Sequence, residues 1–243
     1  TQAKTLFPYT TLFRSHQHEE SRRQWVADTS HELKTPLAVL QAQIEAMQDG
    51  IRKPTPEHFA SMLGQVNSLK KLTQDLADLA QAEAQQLQCY LTEVDPWEAA
   101  LQEIENFRPK FDQAGLTVIA QGEGCLLQLD IDRFKQIMLN LLGNSIRYTE
   151  AGGQVHVHAE QDALQWTLYV DDSPYGLTDA QLAQLGERFY RADDSRTRAT
   201  GGTGLGLALS VKMAKALGGE LSFEHSPLGG LRCRLTFPKQ MKQ

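Results

Sequence analysis

The sequence has few cysteines, no excess of basic residues and no long apolar run. Its 243 residues include three cysteines, Cys89, Cys125 and Cys233, none of which forms a C-x-x-C pair. This scattered set argues against a disulfide framework and a zinc site, and it suits a reducing compartment. A net charge of -6 offers no basic surface for a nucleic acid. No segment approaches the ~20 apolar residues of a membrane helix, so we expect a soluble chain.

The first 15 residues differ in composition from the rest of the chain. They contain Thr-Leu-Phe twice, one proline and no acidic residue. We interpret residues 1–15 as a non-native or disordered leader, such as a cloning or translated sequencing-adaptor remnant.

Two amphipathic helices are predicted in the segment 16–86. In the first helix, a stripe with alternating spacings of four and three contains Val26, Ser30, Leu33, Leu37, Leu40, Ile44 and Met47. Asp49-Gly50 ends this helix, and Thr55-Pro56 begins the next. The second stripe contains Phe59, Met62, Val66, Leu69, Leu72, Leu76 and Leu79. This antiparallel hairpin cannot cover both stripes alone, which predicts a homodimeric four-helix bundle. Packing of the stripes onto the C-terminal domain is the alternative.

A second domain, residues 87–243, begins where the composition changes near Leu87. Helices are predicted from Pro96, at 132–147 and at 207–217. Strands are predicted at 87–94, 116–120, 126–129, 154–160, 164–170, 220–225 and 231–237. The polar segment 171–200 lacks periodicity and is predicted to be a mobile lid. This order of elements indicates an α+β sandwich, in which helices cover one face of a mixed sheet.

The first candidate site is the stretch Ser-His-Glu-Leu-Lys-Thr-Pro-Leu at 30–37. His31 lies one position off the apolar stripe, so its imidazole faces solvent and can meet a large substrate. A bond from the neighbouring Glu32 would fix the tautomer and leave the other ring nitrogen as a nucleophile. Thr35 shares the face of His31 and can orient a water. A His-Glu pair alone is more often a solvated helix face.

The second candidate site is the polar face of the helix at 132–147. Asn140 and Asn144 are one turn apart on one face, and Arg147 follows one turn later. Amide oxygens suit Mg²⁺, and an arginine fork suits phosphate oxygens. The plain alternative is an amphipathic helix with two solvated amides.

The third candidate site combines Asp172 and Gly176 with the Gly-Gly-Thr-Gly-Leu-Gly run at 201–206. Glycines let backbone amides approach phosphates, and the helix that follows the run points its positive end at them. The carboxylate of Asp172 can accept a hydrogen bond from an adenine amino group. No Gly-Lys-Ser or Gly-Lys-Thr follows, which excludes a Walker loop, and glycine runs also occur in ordinary turns.

These stretches, in this order and with Glu-Arg-Phe-Tyr-Arg at 187–191, resemble the sensor histidine kinases of bacterial two-component systems. The resemblance covers residues 16–238. The stretches 144–153, 187–196 and 225–230 look closest to the envelope-stress branch of that family. The resemblance implies a Bergerat-type (GHKL) ATP-binding domain, as in gyrase, heat-shock protein 90 and MutL.

The resemblance also implies a role for each matching residue. His31 would be phosphorylated, Glu32 would be its general base, and Thr35 would serve the phosphatase reaction. Asn144 would hold Mg²⁺, and Asp172 would read adenine. Contacts to ATP are implied for Asn140, Asn144, Arg147, Tyr148, Asp172, Gly176, Phe189, Arg191, Gly202, Thr203, Gly204, Leu205 and Gly206. The implied partners are a second copy of the chain and a cognate response regulator.

Two positions, Asn140 and Pro174, depart from related sequence patterns and bear on the choice between a kinase, an ATPase and a degenerate kinase. ATPases of this fold carry Glu-x-x-x-Asn, whereas this chain has Asn140, whose amide cannot take a proton from water. Direct ATP hydrolysis, as in an ATPase or chaperone, is therefore disfavoured. The family pattern Asp-x-Gly-x-Gly is replaced by Asp172-Ser-Pro174-Tyr-Gly176, and a proline fixes φ and lacks an N–H. This substitution predicts weakened nucleotide binding and keeps open a degenerate kinase that only holds a regulator. We expect the chain to be the cytoplasmic portion of a bacterial inner-membrane sensor.

Overall fold

The structure is a computed structural model that describes residues 7–84, 86–192 and 203–239. Its chain divides into two compact units, one up to Gln74 and the other from Asp75 onward. This division lies within a helix, twelve residues before the 86/87 junction expected from composition.

The first unit is built from two long helices, as predicted. Helix α1 spans Phe7–Gln48, and α2 spans Pro56–Glu83 and continues into the second unit. Gly50 takes a positive φ of 71°, and Thr55 accepts a hydrogen bond from the amide of His58 at 3.4 Å. These features confirm the predicted helix stop and N-cap.

The apolar stripe of α1 and the first half of the α2 stripe are largely open in the single chain, whereas Leu72, Leu76 and Leu79 at the end of α2 are buried. Leu40 is buried, whereas Val26, Leu37, Phe59 and Val66 are each about half exposed. Exposed apolar stripes of this length are typical of helices that bury them against a partner. Helix α1 begins inside the suspected leader. Residues 1–6 lie outside the described part, and the origin of 1–15 stays a hypothesis.

The second unit contains the predicted mixed sheet. Its strands, in spatial order, are β2 (Thr117–Gly122), β4 (Gln154–Gln161), β5 (Gln165–Asp172), β7 (Leu231–Pro238) and β6 (Glu220–His225). Strands β2 and β4 are parallel, and the other neighbours are antiparallel. A separate antiparallel pair joins β1 (Thr92–Val94) to β3 (Leu127–Leu129).

The predicted strand 87–94 is wrong in its first half. Only Thr92–Val94 forms a strand. The amide of Tyr90 instead donates to the side chain of Asp130 at 2.8 Å. Asp130 also caps the next helix, because its other oxygen accepts from the amides of Asp132 and Arg133. One side chain therefore ends the extended segment and begins a helix.

Helices cover one face of the sheet. They are α3 (Pro96–Ala114), α4 (Ile131–Tyr148) and α6 (Gly206–Ala216), while α5 (Asp179–Leu182) is a single turn in the segment after β5. In α4, the buried residues Phe134, Ile137, Met138, Leu141 and Leu142 recur at helical spacing. The ring of Phe134 lies 6.3 Å from both Trp166 of β5 and Phe237 of β7. This contact sets the rotation of α4 on the sheet.

The last two turns of α2 belong to the second unit and pack on it. Leu76 and Leu79 are buried there. The carboxylate of Asp78 accepts a hydrogen bond from Gln136 at 3.1 Å and lies 3.7 Å from Arg133. Both partners belong to α4, and Asp78 is only 5% exposed. This buried pairing holds the end of α2 to α4.

Replacing Asp78 by alanine is expected to destabilise the second unit by about 1–3 kcal/mol, because Gln136 and Arg133 lose a buried acceptor. The matched control is Glu83→Ala, which removes a half-exposed ion pair with Arg188 at 3.1 Å and should cost at most about 1 kcal/mol. Urea unfolding of both variants measures the difference. Equal losses would contradict the importance of the Asp78 contact.

Candidate functional site

The first group of candidate residues lies on α1. His31 and Thr35 are exposed, as the helical phase predicts, and Glu32 is half-buried. The Thr35 hydroxyl donates to the backbone carbonyl of His31 at 3.2 Å. The hydrogen bond expected between Glu32 and the imidazole of His31 is not formed in the described part of the chain. The imidazole is therefore open to a reaction partner on both nitrogens.

The polar face of α4 carries the second group. Its orientation follows from the burial of the opposite face against the sheet. Asn140 and Asn144 are half-buried, whereas Arg147 and Tyr148 are exposed. Asn144 makes no hydrogen bond to any described residue, so its amide oxygen is available to a ligand. Arg147 lies in the last turn of α4.

Asn140 joins α4 to the start of α6. Its amide nitrogen donates to the carbonyl of Gly206 at 3.1 Å and to the hydroxyl of Ser210 at 3.1 Å. Ser210 is fully buried and was not among the residues expected from the sequence. A serine in a helix carries no signal of such a contact, because its partner lies 70 positions away in the chain.

The glycine run is joined to the Phe189 segment. Gly204 and Phe189 both have positive φ, at 69° and 60°, and the amide of Phe189 donates to the carbonyl of Gly204 at 3.1 Å. A Cβ on Gly204 would lie 2.7 Å from the backbone of Phe189. Only glycine fits this approach, and a phenylalanine in the left-handed region marks local strain. Gly202 lies outside the described residues, as does the part 193–200 of the predicted lid 171–200, so the mobility of that segment stays a prediction.

The first turn of α6 follows directly. The amide of Leu205 donates to the hydroxyl of Thr203 at 3.3 Å, and the Leu205 side chain is buried. No side chain caps the start of α6 at Gly206. Its positive N-terminal end is therefore available to an anion.

Asp172 ends β5 with a buried carboxyl group. Burial raises the pKa of this carboxyl to about 7, and the neighbouring Asp171 adds to the rise. A hydrogen bond of 2.6 Å from the amide of Leu231 opposes the rise. A buried carboxylate that titrates near neutrality is typical of functional sites.

Asp172 and Gly176 pack on the turn between β6 and β7. A Cβ on Gly176 would lie 2.7 Å from the carbonyl oxygen of Gly229, and a Cβ on Gly230 would clash with the Asp172 carboxylate. Pro174 contacts the same turn beside Gly229. The Leu-Gly-Gly sequence at 228–230 indicates a turn, but nothing in it predicts that this turn packs against Asp172.

The described residues fit MgATP. The half-buried Arg191 has two guanidinium nitrogens shielded from solvent without a hydrogen-bond partner in the described structure, which suits phosphate oxygens. The open oxygen of Asn144 suits Mg²⁺, and the uncapped start of α6 suits a phosphate. Among these residues, no cluster of three His, Cys, Asp or Glu side chains could hold a metal unaided.

Comparison with known proteins identifies both units. Residues 21–85 match the His Kinase A (phospho-acceptor) domain, and residues 129–241 match the histidine kinase-, DNA gyrase B- and HSP90-like ATPase domain. The signal transduction histidine-protein kinase BaeS of Escherichia coli K12 is 41% identical over 224 residues, which cover 91% of this chain and 48% of BaeS. The sensor histidine kinase YkoH of Bacillus subtilis is 33% identical over 92% of this chain and 49% of its own length. The chain thus spans about half the length of these relatives.

Solved structures agree with this result. The histidine kinase AdeS of Acinetobacter baumannii superposes with a TM-score of 0.72 at 28% identity, over 88% of this chain and 98% of the AdeS chain. The histidine kinase ThkA, solved in complex with the response regulator protein TrrA, shares the fold with a TM-score of 0.74 at 18% identity, over 99% of this chain and 68% of that chain. The chain belongs to the sensor histidine kinases.

The raised pKa of Asp172 predicts a pH-dependent stability. The folded pKa lies above that of the unfolded chain, so this group favours folding below about pH 4, and the advantage is lost as pH rises through about 7. Asp172→Asn keeps an acceptor for the Leu231 amide but carries no charge. Without nucleotide, the variant should be more stable than the parent at pH 8, by of the order of a few kcal/mol, and the difference should shrink to about 1 kcal/mol at pH 4.5.

Urea unfolding at the two pH values measures this difference. Asp162→Asn is the control, because Asp162 is an exposed turn carboxylate whose pKa is lowered by backbone hydrogen bonds. An Asp172→Asn variant that is less stable than the parent at pH 8 would contradict the buried-charge interpretation.

Proposed function

We propose that this chain is an ATP-dependent protein-histidine kinase that phosphorylates His31 and passes the phosphoryl group to an aspartate of a response regulator. Residues 16–86 would be the dimerisation and phosphoacceptor hairpin, and residues 87–243 the catalytic ATP-binding domain. The observation that carries the proposal is the combination of an exposed histidine in a phosphoacceptor domain with an ATPase-type domain that has Asn140 at the position where ATPases of this fold carry the water-activating glutamate.

The contacts of Asn140 support this interpretation. Its amide nitrogen is occupied by Gly206 and Ser210, and an amide cannot accept a proton from water. A bound γ-phosphoryl group then needs a nucleophile from elsewhere. The open imidazole of His31 has the required chemistry.

The described residues suggest how ATP is held. Asp172 accepts the adenine amino group beside Gly176, while Arg147, Tyr148 and Arg191 meet the phosphates. The turn formed by Thr203, Gly204, Leu205 and Gly206 offers backbone amides, and Phe189 anchors the turn. Gly202 is assigned to the same turn from its sequence position. Bound through Asn144, Mg²⁺ would neutralise charge on the phosphate oxygens.

The proposed transfer joins the imidazole of His31 to the γ-phosphoryl group of the bound ATP. One imidazole nitrogen of His31 attacks the γ-phosphorus, the bond from that phosphorus to the bridging oxygen breaks, and ADP leaves with the electron pair. Glu32 takes the proton from the other ring nitrogen as general base. In the reverse, hydrolytic reaction, Thr35 orients a water toward the phosphoryl group of the response-regulator aspartate. Catalysis rests mainly on positioning and charge stabilisation.

The open stripes of α1 and α2 support a homodimer, in which four helices bury Val26, Leu37, Phe59 and Val66. The same bundle would dock the response regulator, a partner type that is present in the ThkA complex. None of the described helices is long and apolar enough to cross a bilayer. From the similarity to BaeS, of which the chain covers 48%, we propose that the chain is the cytoplasmic portion of an inner-membrane sensor.

A second function is favoured by Pro174. A proline replaces the glycine of the family pattern. It packs beside Gly229, in the turn between β6 and β7 that lies next to Asp172. A chain with weak nucleotide binding would dimerise and hold or dephosphorylate a regulator without becoming phosphorylated. The two functions require the same fold, and they differ in whether phosphorylated His31 is formed.

Incubation with γ-labelled ATP and Mg²⁺ separates these functions. The parent should acquire label that is labile in acid and stable in alkali, and His31→Gln should acquire none, because the only proposed nucleophile is absent. The control is His58→Gln, which changes a histidine at the start of α2. This variant should acquire as much label as the parent. Absence of label in a folded parent would favour the regulator-holding module, and equal label in His31→Gln would refute His31 as the acceptor.

A further inference from the structure

Ser210 makes a buried contact that the proposed mechanism leaves unused. It lies one turn after Gly206 in α6 and has no exposed surface. Its hydroxyl donates to the carbonyl of Gly206 at 2.8 Å and accepts from the amide nitrogen of Asn140 at 3.1 Å. The same Gly206 carbonyl accepts from Asn140 at 3.1 Å. Three groups therefore form a closed set of hydrogen bonds.

This set determines which end of the Asn140 amide faces α6. A carbonyl oxygen can only accept, so the group opposite Gly206 must be the NH₂ of Asn140. The proton of Ser210 is already directed to Gly206, which leaves a lone pair for the second amide hydrogen. Both amide hydrogens are thereby used, and the amide cannot rotate without losing both bonds.

The amide oxygen of Asn140 is left free by the same contacts. It accepts no hydrogen bond from any residue of the described ranges. It lies 3.5 Å from the position that a Cβ on Gly206 would occupy, beside the uncapped first turn of α6. This is the turn to which the proposed function assigns the phosphates, and Asn140 itself lies one helical turn before Asn144 in α4.

We propose that Ser210 is a positioning residue, which holds the Asn140 amide so that its oxygen faces the hydrated Mg²⁺ of MgATP. The inference rests on the proposed nucleotide site. Ser210 itself touches neither nucleotide nor metal. Its contribution is selective for the metal-bound form of the nucleotide, because a fixed amide oxygen helps a cation and does nothing for a bare triphosphate.

The test compares nucleotide binding with and without metal. Titration calorimetry on the full chain gives the dissociation constant of a non-hydrolysable ATP analogue in Mg²⁺ and in EDTA. In Ser210→Ala, the gain in affinity that Mg²⁺ provides should fall about three- to tenfold, the size expected for one lost hydrogen bond. Binding in EDTA should stay within about twofold. Ser210→Thr keeps a hydroxyl and should keep most of the gain.

A double-mutant cycle checks that Ser210 acts through Asn140. Ser210→Ala should have no further effect on metal-dependent binding in an Asn140→Ala background. Additive losses, or an equal loss with and without Mg²⁺, would overturn the inference and leave Ser210 a packing residue. If Ser210→Ala does not fold, the Ser210→Thr variant decides: a folded Ser210→Thr that loses the Mg²⁺-dependent gain in nucleotide affinity would also overturn the inference. A parent that binds the analogue equally well with and without Mg²⁺ overturns this inference but not the kinase proposal, whereas a parent that binds no nucleotide overturns both.

Discussion

The arrangement of the candidate nucleotide site depends on how α4 is rotated on the sheet. Phe134 packs between Trp166 and Phe237, and each fully buried side chain of this size contributes roughly 1.5–3 kcal/mol. The opposite face of α4 must then point away from the sheet. That face carries Asn140 and Asn144 and ends near Arg147, so an apolar contact places the polar groups on which the proposed chemistry relies.

Two parts of the site work against the stability of the fold. The carboxyl group of Asp172 is buried with a raised pKa, and Phe189 has left-handed backbone geometry against Gly204. A ligand that donates a hydrogen bond to the carboxylate would offset the first cost, and such trade-offs are common where binding requires a polar group inside a fold. The proposed adenine contact is of this kind.

Sequence reasoning succeeded where the signal is local. Helical spacing predicted α1, α2 and α4, alternation predicted strands β4 and β5, and cap residues such as Thr55 marked helix starts. It failed where a distant group decides the outcome. The segment before Thr92 is not a strand because the side chain of Asp130 accepts a hydrogen bond from the Tyr90 amide. The packing of Gly229 and Gly230 beside Asp172 could not be predicted, because the sequence does not show which turn lies next to that residue. The contact between Ser210 and Asn140 could not be predicted either, because the two residues lie 70 positions apart in the sequence. The predicted hydrogen bond between Glu32 and His31 is not formed.

The most direct test of the central claim is a backbone amide NMR titration of the full chain with Mg²⁺ and a non-hydrolysable ATP analogue. If α4, the end of β5 and the start of α6 form one nucleotide site, the largest shifts will fall on Asn140, Asn144, Asp172 and Gly204, with His58 and the outer strand β2 unaffected. Shifts confined to other surfaces, or no shifts at millimolar nucleotide, would contradict the account.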